Sequence, residues 1–334
     1  MIHAISRSLL LHRHQLSHEQ IDALLGEHFS VGELGYKALA LKKLKGFLEV
    51  TDALRMAGIN FIPLKGFVLS QKIYGDPTVR QTGDADLLLS PDDIEKAIAT
   101  LEKLDYVPSL FPWPLNPTRQ LKLVRFRNQI ALHNPVAELD VELHWQLFYY
   151  PILPPGKLNQ IVAQNTTTLV LQGRTFRVLN PELDLLFLVI HGGMHGWRRL
   201  KWLVDVHEIA RQKLFDERRL GEMVATFRAE KMTGLYNQLV KNWFIPCFTL
   251  PTVATTNSFL LKTAQQKITG NMEGEYHSPG SLLRYFWFIF TAFPGTAWRR
   301  RMLWYAWRSL WSQGANPIEL LLPGRFLLKR YGVK

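Results

Sequence analysis

The chain has 334 residues, of which 47% are hydrophobic and 12% aromatic, so it can build one large or two ordinary domains. This composition excludes a disordered protein. A single cysteine, Cys247, excludes a disulfide framework and a four-cysteine zinc site, and it suits a reducing compartment. The apolar patch near the N-terminus is too short for a secretory signal. No window reaches the roughly 18 apolar residues of a membrane span, so we expect a cytoplasmic protein.

The formal net charge of +12 is concentrated near the C-terminus. Between Ser281 and Lys334 there are nine Lys or Arg residues and one acid, Glu319, together with tryptophans at 304, 307 and 311. A basic, Trp-rich tail of this kind predicts an anionic partner: a membrane surface, nucleic acid or a phosphorylated substrate. A membrane partner would place the protein at the inner membrane face. The alternative is a solvated basic face that has no specific partner.

The first 58 residues predict an N-terminal helical segment, with helical spacing of apolar residues from Tyr36 to Met56 and a break at Gly58. From residue 59 the pattern changes. Phe61–Leu64 predicts a short strand, and Phe67–Tyr74 predicts a short helix that ends before Gly75-Asp76-Pro77.

The next elements complete a compact unit that spans residues 59–150. A strand is predicted at Asp84–Leu89 and a helix at Asp92–Leu104. Two further strands, Gln120–His133 and Ala137–Phe148, meet at a turn at Asn134-Pro135. Residues 151–334 predict a mainly helical C-terminal domain. The fold class is therefore α+β, with a mixed-sheet core between flanking helices.

Two carboxylates, Asp84 and Asp86, open the second predicted strand. Side chains alternate along a strand, so these two carboxylates point to one face while Ala85 and Leu87 pack on the other. Like charges side by side repel, and a divalent ion such as Mg²⁺ relieves the repulsion. This pattern indicates phosphoryl or nucleotidyl transfer.

A second polar cluster consists of Asp140, Glu142 and His144. Because side chains alternate along a strand, these three share one face of a later predicted strand. Metal-assisted transfer uses a third acidic group from a neighbouring strand, and this strand supplies two candidates. The alternative interpretation is an exposed strand face with ordinary charges.

These residues together resemble a known family. The motifs are Pro63-Leu64-Lys65-Gly66, Arg80, Gly83-Asp84-Ala85-Asp86-Leu87-Leu88 and Glu142-Leu143-His144-Trp145, with a later run from His191 to Trp197. They are similar to the nucleotidyltransferase-fold superfamily and, within it, to a bacterial group of uncharacterised nucleotidyltransferases. The resemblance covers residues 61–210.

The resemblance implies a role for each matching residue. Asp84 and Asp86 would bind Mg²⁺ or Mn²⁺, which bridges the phosphates of an NTP, and Glu142 would be the third carboxylate, with Asp140 as its competitor. The turn at Lys65-Gly66 would receive the triphosphate at a helix N-terminus, and Lys65 and Arg80 would neutralise phosphate charge.

Two histidines, His191 and His195, lie one helical turn apart, the spacing that allows two imidazoles to bind zinc. The intervening Gly-Gly-Met lacks the glutamate of a metalloprotease and favours close packing against the α/β unit instead. Together with His144, Asp140 and Lys201, these two histidines are candidate substrate contacts.

The function that the resemblance implies is Mg²⁺-dependent transfer of a nucleotidyl group from an NTP to a hydroxyl or phosphate acceptor. The acceptor is open: a small molecule, a glycan, a peptide or RNA. One alternative is a non-catalytic or regulatory protein that keeps the fold and binds a membrane or nucleic acid. Another is a related group transfer, such as glycosyl transfer. Fold analogy does not separate these functions.

Overall fold

The computed structural model describes residues 2–26, 33–109, 127–251, 257–270 and 279–312. The chain divides into two compact units. The α/β unit comprises Ile2–Tyr149 and Gly156–Asn180, and the helical unit comprises Tyr150–Pro155 and the chain from Pro181 onward. Within the described residues, no helix is both long enough and apolar enough to span a bilayer.

The α/β unit is built on a mixed sheet of five strands in the order β1-β2-β5-β4-β3. Its strands are β1 (Phe61–Leu64), β2 (Asp84–Leu89), β3 (Val107–Pro108), β4 (Gln129–Asn134) and β5 (Leu139–His144). The pair β2 and β5 is parallel and the other neighbours are antiparallel. Pro63 is tolerated in β1 because this strand lies at the edge of the sheet.

In the described residues, five α-helices precede or connect these strands: α1 (Arg7–His12), α2 (His18–Leu25), α3 (Glu33–Met56), α4 (Gly66–Tyr74) and α5 (Ile94–Glu102). Short 3₁₀ turns lie at Ile2–Ala4 and Pro91–Asp93. The long helix α3 buries Phe47, Val50 and Leu54 in the core together with Ala85 and Leu87 of β2. One face of β2 is therefore fixed by apolar packing, and its carboxylates point to the other face.

A β-hairpin packs on this unit after helix α6 (Pro155–Gln164). Its strands, β6 (Thr166–Leu171) and β7 (Arg174–Leu179), meet at Gln172-Gly173, where both residues have positive φ, as a type I′ hairpin turn requires. Arg174 donates from Nε at 2.9 Å to Oδ1 and from Nη2 at 2.7 Å to Oδ2 of Asp52 on α3. This bidentate pair ties the hairpin to the core helix.

The helical unit contains α7 (Pro181–Met194), α8 (Leu200–Gln212), α9 (Glu217–Phe227), α10 (Glu230–Trp243), α11 (Ser258–Thr269), α12 (Pro279–Ala292) and α13 (Thr296–Ser312). Two glycines near the end of α7 allow close packing. A Cβ at Gly192 would lie 2.5 Å from the ring of fully buried Trp197, and one at Gly193 would collide with the sulfur of Met232. The atoms nearest these glycines thus belong to the helical unit, not to the α/β unit that the sequence favoured.

The predicted α+β class, with a mixed sheet and flanking helices, is confirmed. The predicted strands around the turn at Asn134 were too long, because β4 begins only at Gln129 and β5 ends at His144. Residues 110–126, which include the start of the predicted strand from Gln120, lie outside the described residues. The same holds for residues 313–334 of the basic tail and for the side chains of Trp307 and Trp311.

We predict that Gly192→Ala lowers the free energy of unfolding by about 1–3 kcal/mol, because the added methyl group forces the buried Trp197 ring out of place. Gly221→Ala, in α9, is the matched control. A Cβ there meets nothing within 4 Å, so alanine should raise stability by about 0.5–1 kcal/mol. Urea denaturation measures both changes, and equal effects at the two positions would contradict the packing account.

Candidate active site

The candidate active site is built by the parallel pairing of β2 and β5. In this register Asp84 lies opposite Asp140, Asp86 opposite Glu142, and Leu88 opposite His144. Because neighbouring strands lie about 4.8 Å apart and side chains alternate, Asp86 and Glu142 are forced side by side on one face. Asp86 is almost fully buried, with 2% of its surface exposed.

Two basic side chains lie against this carboxylate pair. Lys65, which directly follows β1, places its Nζ 2.9 Å from Oδ2 of Asp86. The Nε2 of His144 lies 3.0 Å from Oδ1 of Asp86 and 3.3 Å from Oε2 of Glu142. Both basic groups are buried with the acids, so the cluster balances its charges internally.

The pKa values of the cluster follow from its burial and its mutual attraction. Burial alone would raise the pKa of Asp86, but the charges of Lys65 and His144 outweigh it and depress that pKa strongly. Burial likewise opposes the charged forms of Lys65 and His144, yet the carboxylates raise the pKa of Lys65 and bring that of His144 to about 9. Asp86 is therefore ionised, and His144 carries a proton at neutral pH.

Glu142 behaves differently from Asp86. Burial raises its pKa, the hydrogen bond to His144 opposes this change, and repulsion by Asp86 and Asp84 adds to it, so that the pKa is raised overall. A carboxylate with a raised pKa accepts protons more readily near neutral pH, which suits a general base.

The turn that joins β1 to α4 has an unusual backbone. Lys65 has φ 50° and ψ −149°, and Gly66 has φ 54°. A non-glycine residue with positive φ costs free energy, and such strain clusters at functional sites. A Cβ at Gly66 would lie 3.3 Å from Cγ2 of Thr82, so both its conformation and its close approach favour glycine. Lys65 makes no side-chain cap to α4.

The remaining predicted site residues lie elsewhere. Arg80 is buried in the loop between α4 and β2, and its backbone N–H donates to Oγ of Ser70. Asp140 is exposed, and its carboxylate pairs with His133 of β4. In the helical unit, His191 and His195 at the end of α7 contact each other and the ring of Trp202, while Lys201 is buried on α8.

The carboxylates of the cluster fit a divalent metal ion, and the protonated His144 lies beside them. In the described part of the chain, one group of three acidic or histidine residues brings its ligand atoms within 4.8 Å of one another: Asp86, Glu142 and His144. Two of these donors are carboxylates, and one carboxylate stays ionised, as Mg²⁺ or Mn²⁺ requires. Asp84 lies two positions before Asp86 on the same face of β2. The Asp-x-Asp spacing alone predicts neither the burial of Asp86 beside β5 nor its ion pair with Lys65, which depends on the pairing of β1 with β2.

The mixed sheet, the flanking helices and the carboxylate cluster define a nucleotidyltransferase-like α+β protein. A sequence model of the family described as "Uncharacterised nucleotidyltransferase" matches residues 3–245, so the chain belongs to that family. The resemblance seen in the motifs is thereby confirmed. No curated protein and no solved structure matches the chain.

We predict a pH-dependent contribution of His144 to stability when a chelator is present. Its pKa of about 9 in the fold exceeds the ordinary value of 6.5, so the protonated ring stabilises the fold below about pH 6.5. This contribution is lost as pH rises through about 9. The difference in unfolding free energy between the wild type and His144→Gln should therefore shrink by on the order of 2 kcal/mol between pH 6 and 9.5.

Urea denaturation of both proteins at each pH measures this difference. Subtracting the two unfolding free energies cancels the contribution of groups that titrate far from His144. A difference that stays constant or grows with pH would show that His144 is not held as an imidazolium by the two carboxylates.

Proposed function

We propose that the protein is a Mg²⁺- or Mn²⁺-dependent nucleotidyltransferase that moves a nucleotidyl group from an NTP to a hydroxyl or phosphate group of an acceptor. The observation that carries this proposal is the pairing of Asp86 with Glu142 across two parallel strands, with two cationic side chains against them. Membership of the nucleotidyltransferase family supports the same reaction.

Asp84 and Asp86 would hold the metal ion, and Glu142 would be the third carboxylate. When bound, the ion supplies positive charge that neutralises the NTP phosphates and stabilises the transferring group. The depressed pKa of Asp86, caused by Lys65 and His144, keeps this carboxylate ionised, which is the form that binds a metal ion, across the physiological pH range.

Glu142 is the group best suited to take the proton of the acceptor. The acceptor oxygen forms a bond to the α-phosphorus and gives its proton to Glu142. The bond between the α-phosphorus and the bridging oxygen breaks, and pyrophosphate leaves with the electron pair. The competitor Asp140 is exposed and already paired with His133, which favours Glu142 for this role.

Four further groups would position the phosphates. The turn at Lys65-Gly66 starts helix α4, whose first N–H groups and dipole favour an anion. The Lys65 ammonium lies at Asp86 and would reach a phosphate held there, and Arg80 would add a second positive charge. Nδ1 of His144 is buried and has no hydrogen-bond partner among the described residues, so it is free to donate to substrate.

The helical unit also carries predicted site residues. His191, His195 and Lys201 stay candidate substrate contacts in this proposal, with Trp202 supporting both imidazole rings. We infer a cytoplasmic location from the lone cysteine, which is exposed and free.

We predict that titration of a non-hydrolysable NTP analogue into the wild type shows binding that depends on Mg²⁺. Asp84→Asn and Asp86→Asn should each weaken this binding at least about tenfold, since each removes a negatively charged ligand of the ion. Isothermal titration calorimetry with and without Mg²⁺ measures the effect.

Asp140→Asn is the matched control, because it removes an acid from the same sheet face without touching Asp86. We expect its affinity for the analogue to stay within about twofold of the wild type. If no Mg²⁺-dependent binding of any NTP analogue occurs to the folded wild type, the proposed reaction is wrong.

A further inference from the structure

The last two described helices of the helical unit, α12 and α13, expose large apolar side chains next to arginines. On α12 the residues Leu283, Arg284 and Trp287 are exposed, and their spacing places them on one face of the helix. The buried residues Ile289 and Ala292 lie on the opposite face. One face of α12 therefore packs in the protein, and the other presents apolar side chains to solvent.

Helix α13 is divided in the same way. Arg299, Arg300 and Leu303 are exposed and share one face of the helix, because they lie three or four positions apart. Trp298 and Met302 are buried on the opposite face. Both helices therefore combine exposed arginine with exposed large apolar side chains, an arrangement that marks interaction surfaces.

The exposed faces of α12 and α13 are joined into one surface. The guanidinium of Arg299 lies 5.7 Å from the centre of the Phe290 ring on α12. That ring stacks on Trp287, with 5.5 Å between the ring centroids. The indole N–H of Trp298 also donates to the carbonyl of Phe290 at 3.1 Å, which fixes the two helices to each other. The arginine–tryptophan surface, as we name it, consists of Leu283, Arg284, Trp287, Arg299, Arg300, Leu303 and Trp304.

Contacts within the helical unit hold this surface in place. The hydroxyl of Tyr285 donates to the carbonyl of Met194 at 3.0 Å. Arg301 donates from Nε to the carbonyl of Pro151 at 2.9 Å and from Nη2 to the carbonyl of Ile152 at 2.6 Å. Because both helices are anchored by these bonds, the outward direction of the neighbouring side chains is a property of the packed unit.

The charge of the surface selects an anionic partner. Helices α11, α12 and α13 together contain seven Lys or Arg residues and no Asp or Glu. In the part of the chain that the structure describes, no carboxylate forms an ion pair with the exposed Arg284, Arg299 or Arg300. Their positive charges therefore act outward, on whatever lies against the surface.

The apolar side chains distinguish a lipid bilayer from nucleic acid. A nucleic acid offers phosphates to the arginines and bases that stack on Trp287, but it has no counterpart for the aliphatic Leu283 and Leu303, which are 68% and 54% exposed. A bilayer with anionic lipid matches all three kinds of side chain. Its headgroups attract arginine, its interface favours tryptophan, and its acyl chains receive leucine.

We propose that the arginine–tryptophan surface docks the protein on a bilayer that contains anionic lipid. The leucines and tryptophans of the surface enter the boundary between headgroups and acyl chains, and its arginines contact the lipid phosphates. The helices lie on the bilayer and do not cross it. This inference concerns the place where the protein acts, and it stands independently of the proposed nucleotidyl transfer.

The test measures binding of the full-length protein to lipid vesicles by flotation. One set of vesicles contains phosphatidylcholine and phosphatidylglycerol in equal parts, and the other contains phosphatidylcholine alone. We expect a partition coefficient at least about tenfold larger for the mixed vesicles, because only their headgroups carry a net negative charge that attracts the exposed arginines. Absence of binding to the mixed vesicles, or equal binding to both sets, would overturn the proposal.

A charge variant and its control locate the contact. The double variant Arg299→Gln/Arg300→Gln should lower the partition coefficient on the mixed vesicles at least about tenfold. The control Arg218→Gln/Lys241→Gln removes two exposed positive charges from α9 and α10 of the same unit, and its coefficient should stay within about threefold of the wild type. Equal losses in the two double variants indicate general electrostatic attraction and overturn the proposal.

An apolar variant tests insertion at unchanged charge. We expect Leu283→Gln/Leu303→Gln to bind the mixed vesicles at least about fivefold more weakly, since both leucines lose their contact with acyl chains. Leu214→Gln, at an exposed leucine just after α8, is the control and should bind as the wild type does. Urea denaturation checks that the variants keep the wild-type stability, as exposed positions should. Wild-type binding by the folded double leucine variant would overturn the proposal.

The same variants distinguish the bilayer from two other partners. A fluorescent single-stranded RNA is titrated by anisotropy, and the oligomeric state is measured by sedimentation velocity. If RNA binds and is weakened tenfold by the double arginine variant while the mixed vesicles do not bind, the surface is a nucleic-acid site and the proposal is overturned. If the wild type is a dimer that the double leucine variant dissociates without a change in vesicle binding, the surface holds a second copy of the chain, which also overturns it.

Discussion

The site depends on one constraint, the parallel register of β2 and β5. This register places Asp86 beside Glu142 in a nearly dry environment, where two like charges repel strongly. The fold tolerates the pair because Lys65 and His144 bring two positive charges within 2.9 and 3.0 Å of Asp86. Lys65 directly follows β1 and His144 is the last residue of β5, so the pairing of the strands brings these two bases to the acids.

The backbone beside this cluster has positive φ at Lys65 and Gly66. Lys65 has positive φ and its ammonium lies at Asp86, while the neighbouring Gly66 approaches Thr82 closely. The loop before β2 is held by Ser70, whose hydroxyl donates to the carbonyl of Asp76 and accepts from the N–H of Arg80. The loop therefore fixes Thr82 and Gly83, which directly precede Asp84 in the chain.

The parts of the fold that depend on local pattern could be predicted from the sequence. Helix α3, the strands β1 and β2 and the turn at Asn134 each follow from the spacing of apolar residues or from turn residues. The hairpin at Thr166–Leu179 could not, because its polar, half-exposed strands lack a continuous apolar run and its stability comes partly from the distant Asp52. A short strand such as Val107–Pro108 likewise depends on its partner, β4.

For the candidate site, alternation within a strand predicted that Asp84 shares a face with Asp86, and that Glu142 shares one with His144. It could not predict which acid of one strand faces which acid of the other, because register is set by packing across the sheet. For the same reason the sequence pattern did not distinguish the half-buried Glu142 from the exposed Asp140.

The most direct test of the central claim is a crystal structure with Mn²⁺ and a non-hydrolysable NTP analogue, measured at a wavelength where manganese scatters anomalously. The account predicts an anomalous peak within about 2.5 Å of carboxylate oxygens of both Asp84 and Asp86, with the triphosphate beside Gly66. A peak located elsewhere, for example at Asp140 and His133, or nucleotide bound with no metal at Asp84 and Asp86, would contradict it.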